Sequence, residues 1–104
     1  MKIKKVSFED APKVPFNLDG RILFASPKAE LVHLTLKPGE KIDRHVQPFD
    51  VIFFIISGAG VLETGEETFT GTENNTIFVP AGKPRGWNNT GTTDFKVLVI
   101  KDFA

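Results

Sequence analysis

A handful of side chains in this sequence could do chemistry, and their types narrow what that chemistry can be. His33 and His45 are its two imidazoles. Each can serve as a base, a hydrogen-bond donor or a nitrogen ligand near neutral pH. Gln47 adds a neutral amide two residues after His45, and Asp50 a carboxylate. Arg85 carries a permanent charge on a planar fork that matches a carboxylate or a phosphate. Trp87, two residues further on, can stack on a ring or on a guanidinium. There is no cysteine, which excludes disulfides, zinc fingers, iron–sulfur clusters and thiol catalysis. There is no tyrosine either, so no phenol is available as acid or base. With two histidines, a metal site would need mostly oxygen donors, or a His33–His45 pair able to recruit zinc or nickel.

The elements that position these residues read as strands. The chain has 104 residues, 40% of them apolar and 25% charged, the composition of one soluble globular domain with a single core. Thirteen basic residues balance thirteen acidic ones. Together with the lack of a helix-turn-helix segment, that balance argues against nucleic-acid binding. The N-terminal MKIKKVSFED has no apolar leader core, and no apolar run approaches the length of a membrane span. A cytoplasmic location away from membranes is therefore expected. Strand-like runs occur at 21–25, 30–37, 51–56, 60–63, 68–70, 76–79 and 95–100, separated by Gly- and Pro-rich turns. Residues 7–13 are read as one helical turn at most. Residues 1–20, with two prolines, are read as an irregular arm covering a sheet edge or a neighbour. Residues 21–104 form the domain proper, an all-β sandwich or barrel.

Two segments carry a resemblance to a known family. Residues 39–58 read Gly39, EKIDR, His45-Val46-Gln47, PFD, Val51, IFFIIS, Gly58; residues 74–89 read Asn74, NTIFV, Pro80-Ala81-Gly82, KP, Arg85, GWN, Asn89. They resemble the first and second cupin motifs, fifteen residues apart, and the match in turn order runs over about 31–100. The fold this implies is a small single jelly-roll β-barrel, the cupin double-stranded β-helix. In cupins two histidines, a glutamate and a further histidine converge on one metal ion. The matching positions here are His45, Gln47, Val51 and Arg85. Only the first is a good ligand, and Arg85 has no lone pair to give. The resemblance thus implies a barrel without the usual metal site, and no cofactor is expected.

If Val51 points inward as its family counterpart does, so do Phe53 and Ile55, while Ile52, Phe54 and Ile56 face outward. A second apolar face calls for a cover, and a homodimer is expected, with the arm as the alternative. The expected ligand pocket combines His45, Gln47 and Arg85 with Val51, Phe53, Trp87 and His33. Plainer alternatives stand beside these roles. Arg85 could swing out to solvent, His45 could bond to Gln47 or backbone, Trp87 could be a core aromatic, and alternation alone leaves the facing of His33 open. Asp50 faces away in this register and caps a turn or pairs with a cation. The function expected is binding of a small anionic or sugar-like molecule without metal. The alternatives are a metal-free isomerase or epimerase with His45 as base, and a metal-dependent dioxygenase or decarboxylase using His33, His45, Gln47 and Asp50. Whether any substrate is turned over is left open.

Overall fold

A computed structural model describes residues 2–104; Met1, part of the expected arm, lies outside the described residues. Among the described residues nine strands form and there is no α-helix. They are β1 (Asp19–Ala25), β2 (Ala29–Leu36), β3 (Lys41–His45), β4 (Asp50–Ser57), β5 (Ala59–Glu63), β6 (Thr68–Thr72), β7 (Thr76–Val79), β8 (Arg85–Asn88) and β9 (Phe95–Asp102). A five-stranded sheet runs β1-β2-β9-β4-β7 and a four-stranded sheet β3-β8-β5-β6, with antiparallel pairing throughout. The core lies between them. Phe95, Leu36, Ile55, Leu62 and Val97 are fully buried there.

β4 shows how the pattern decides the facing. Val51, Phe53 and Ile55 are buried, whereas Ile52 and its partner Phe78 on β7 are exposed outside. Phe54 and Ile56 lie on that same outer face, half-buried. β3 and β8 stand in stretches outside the apolar runs. β3 carries a bulge between Ile42 and His45, which brings His45 opposite Arg85. Gly86 makes the bulge possible: a Cβ there would stand 2.6 Å from the Ile42 carbonyl oxygen. The second motif's opening position, where the family has Gly, is filled by Asn74 at φ 68°, a left-handed conformation that Asn tolerates.

The arm lies along β1 and the mouth of the sandwich. Ile22 N–H donates to the Pro12 carbonyl at 2.7 Å and Val14 N–H to that of Gly20 at 2.9 Å, so residues 12–14 shield the free edge of β1. A 3-10 turn at Phe8–Asp10 precedes it. The Phe8 ring meets the His33 ring edge-on at 4.8 Å and lies 4.4 Å beneath the Arg21 guanidinium. Arg21 also donates to the Phe8 carbonyl and pairs with Asp19. This corrects the expected place of His33. Val32 and Leu34 take the inward parity of β2, so His33 points out of the sheet and into the seat of the arm.

Two outcomes follow for stability. Asn89 is fully buried; its Nδ2 donates to the carbonyls of Leu36 and Thr93, and its Oδ1 accepts from Gly91 N–H. Asn89→Ala strands those three partners and is expected to cost about 3 kcal/mol or more, a fall of more than about 10 °C in calorimetric Tm. Burial holds the His33 pKa below its ordinary value, aided by Lys96 and Arg21 and opposed by its own backbone hydrogen bond and Asp19. The unfolded chain therefore binds this proton more readily, so the contribution of neutral His33 is full above about pH 6.5 and is lost as pH falls through the lower folded value. A His33→Leu variant is expected to lose less Tm than the parent between pH 7.5 and pH 5.5.

Candidate functional site

One cavity of about 520 Å³ opens between the sheets, within the range of small-molecule pockets. Its walls come from the inward parity of each strand around it: Val32 and Leu34 of β2, Ile42 of β3, Val51 and Phe53 of β4, Trp87 of β8 and Val99 of β9. Val14, Phe16 and Leu18 of the arm close one side. Phe16 is otherwise exposed. Polar groups gather where β3, β8 and the loop before β4 meet. His45, Gln47 and Arg85 line the cavity there, joined by Phe49 and Lys101.

Arg85 is the best fixed of these. It is only 4% exposed, which rules out the alternative of a side chain swung into solvent. Its Nε donates to the Lys83 carbonyl at 3.2 Å, Nη1 to that of Phe49 at 3.2 Å, and Nη2 to that of Pro80 at 3.0 Å. A guanidinium has five N–H groups, so donors remain beyond these three bonds. Among the described residues no carboxylate comes within ion-pair distance of it. Burial lowers its pKa from the ordinary value, and Asp50 opposes that shift. The Asp50 carboxylate itself accepts from Ala81 N–H at 2.8 Å, capping the turn before β8 as its outward register implies. Arg85 is thus a desolvated charge neutralised only at a distance.

His45 is exposed at the end of β3, with Nδ1 3.0 Å from the Asp43 carbonyl oxygen. A carbonyl only accepts, so Nδ1 carries the proton and Nε2 of the neutral ring keeps its lone pair. Of the two plainer alternatives for His45, the backbone partner is the one present. The Gln47 carbonyl accepts from Gly82 N–H at 2.9 Å, and its side-chain amide has no hydrogen-bond partner among the described residues. Trp87 is both core aromatic and cavity wall. It packs at 5.3 Å against Phe53 and 4.8 Å against Phe95, with its Nε1–H sealed and unpartnered.

The structure therefore brings His45, Gln47, Arg85, Val51, Phe53 and Trp87 to one cavity and leaves His33 outside it. Sequence reasoning missed the arm residues, Phe49 and Lys101. The four positions matching the cupin metal ligands do not fit a metal. Val51 offers no donor, the Arg85 nitrogens have no lone pair and already donate to carbonyls, and the amide of Gln47 is a weak neutral ligand. Among the described residues no three His, Cys, Asp or Glu side chains converge to supply another set.

The Cupin domain family model (Cupin_2) matches residues 32–101. A 5-nitrosalicylic acid 1,2-dioxygenase from Bradyrhizobium sp. is 31% identical over 75 residues, covering 72% of this chain and 34% of that enzyme. The chain thus spans about a third of that relative's length. Among solved structures, KdgF from Halomonas sp. superposes with a TM-score of 0.85 at 17% identity, covering all of this chain and 96% of that one. A predicted oxalate decarboxylase from Thermotoga maritima gives a TM-score of 0.78 at 22% identity, over 84% of this chain and 81% of that one. These two likenesses speak for the double-sheet architecture. With its family model spanning most of the sequence and both motif segments, this chain belongs to the cupin domain family.

Proposed function

We propose that this cupin is a binding protein that holds a small organic anion in the cavity between its sheets, without a metal ion. The observation that carries the reading is Arg85, a buried cation with no carboxylate in ion-pair reach among the described residues, facing a cavity whose walls are mostly apolar. An anion with an apolar body satisfies both features: its charge meets the remaining Arg85 N–H groups, and its body displaces water from the Phe53 and Trp87 walls. A sugar fits less well, because its hydroxyls need many polar partners and the walls give few. His45 and the Gln47 amide at the rim supply orienting hydrogen bonds. The dioxygenase relative leaves a metal-dependent reaction as the rival reading, and the donor set at the matched positions weighs against it.

A thermal-shift panel of carboxylates, phosphates and sugar acids tests this directly. A ligand at a hundred times its Kd adds about 2.7 kcal/mol, which is a rise of roughly 10 °C or more. Apolar carboxylates are expected to give it, Arg85→Met to remove it, and Arg85→Lys to retain part. Arg85→Met also leaves three carbonyls without their donor, so its own Tm starts lower and the ligand-induced difference is the quantity compared. Elemental analysis of untagged protein dialysed against iron, manganese, nickel and zinc is expected to give far less than one metal per chain. A value near one overturns the metal-free reading.

We propose further that two copies pair through the outer face of the five-stranded sheet. Ile52 and Phe78 are exposed neighbours there, continued by Phe54, Leu98 and Ile100 in adjoining register. The arm sits on β1 and β2 instead. Apolar area of this kind favours a twofold, self-complementary contact. Light scattering at micromolar concentration is expected to give a dimer mass, and Phe78→Lys a monomer that stays folded. A monomeric parent protein overturns the pairing.

A further inference from the structure

The inward face of β9 ends on a charge. Phe95, Val97 and Val99 point between the sheets, and the same parity brings Lys101 to the cavity wall. Lys101 lies opposite Val51 of β4 on one side and Glu30 of β2 on the other. Its Nζ donates to Glu30 Oε1 at 2.9 Å, with both side chains well shielded, at 29% and 25% exposure. Arg85 Cζ and Lys101 Nζ each stand 5.9 Å from the centroid of the Phe49 ring. Two cations therefore address the same end of the cavity. Among the described residues, Glu30 is the carboxylate in ion-pair contact with either of them.

This pair is not needed to hold its strands together. β2 and β9 share eight register pairs, and a shielded ion pair adds little stability over apolar packing. Its consequence is electrostatic. Arg85 and Lys101 contribute two positive charges. Glu30 pairs one of them in contact, and Asp50, tied to Ala81 N–H, acts on Arg85 only from a distance. Among the described residues one cation is thus left without an ion-pair partner at the apolar cavity's polar end. One ligand charge neutralises it. A second negative charge would sit close to Glu30 in a medium that screens poorly, and that repulsion opposes binding.

We propose that Lys101 and Glu30 make the cavity selective for organic monoanions: Lys101 is the second cation of the site, and Glu30 cancels it to fix the ligand charge at one. The proposal rests on the reading of the cavity as an anion site and adds its charge selectivity. Ligands that fit are monocarboxylates with an aromatic or branched apolar body, the carboxylate toward Arg85 and Phe49 and the body along Phe53 and Trp87.

The test compares 2-naphthoate, its neutral amide 2-naphthamide and the dianion 2,3-naphthalenedicarboxylate, whose two carboxylates both face the polar end, by isothermal titration calorimetry. The parent protein is expected to bind 2-naphthoate at least tenfold more tightly than either of the others. Glu30→Gln releases the second cation and is expected to improve binding of the dicarboxylate relative to 2-naphthoate by tenfold or more. Lys101→Met is expected to weaken 2-naphthoate about tenfold because it leaves Glu30 unpaired. The double variant Glu30→Gln, Lys101→Met restores the net charge of the site and is expected to bring 2-naphthoate binding back to within about threefold of the parent. A double variant as weak as Lys101→Met overturns the charge balance. If 2-naphthoate binding needs Arg85 while Glu30→Gln leaves the preference between mono- and dicarboxylate unchanged, the charge selectivity is wrong and the anion site stands. If 2-naphthoate and its amide bind equally, or neither binds, the anion site falls and the selectivity falls with it.

Discussion

The Arg85 guanidinium is held out of water by main-chain carbonyls alone, and the mouth of the cavity is built around that contact. One acceptor, Lys83, precedes it in its own turn, a second, Pro80, opens that turn, and the third, Phe49, belongs to the loop entering β4 thirty-six residues away. Each bond from a charged donor to a neutral carbonyl is stronger than an amide–carbonyl bond, and together they fix where β4 begins relative to β8. The loop before β4 is also tied by Gly82 N–H to the Gln47 carbonyl, and the turn by Ala81 N–H to Asp50. The two motif segments are thus stitched to each other on both sides of the arginine. Carbonyls satisfy the geometry of the fork but leave its charge in place, since a dipole does not cancel a monopole. That residue of charge is what gives the cavity its chemistry.

Much of this architecture was legible in the sequence where the period-two signal was strong. The run at 51–56 gave a strand with two apolar faces, and assigning Val51 inward placed Phe53 and Ile55 in the core. β3 and β8 were not legible as strands. β3, KIDRH, is mostly charged and exposed, and it is bent by a bulge. β8, RGWN, is four residues long with a glycine chosen for the close approach of that bulge. Their pairing is fixed by long-range register, which no local pattern encodes.

The site was legible to the same uneven degree. The facing of His33 could have been settled from Val32, Leu34 and Leu36, which give β2 its inward parity; Lys101 follows by the same parity from Phe95, Val97 and Val99. The alternation of Val14, Phe16 and Leu18 within a stretch read as irregular was likewise a signal that the arm forms a wall. The partners of Arg85 left no trace at all, because main-chain acceptors carry no side-chain identity.

In the family, the four positions occupied here by His45, Gln47, Val51 and Arg85 converge on a metal, and a metal does two jobs there: it binds ligand, and it cross-links the strands that supply its donors. The side chains at these positions here are not a donor set that suits either job. In this chain a single side chain takes up the structural one. Arg85 reaches the loop leading from β3 to β4 and the turn leading to β8, the same segments that hold those positions. The replacement inverts the chemistry. A metal collects lone pairs and presents open coordination sites, whereas a guanidinium collects acceptors and presents further N–H groups. Any molecule that meets it must therefore bring an acceptor, preferably a charged one, and the apolar walls around Trp87 and Phe53 favour one whose remaining surface is apolar.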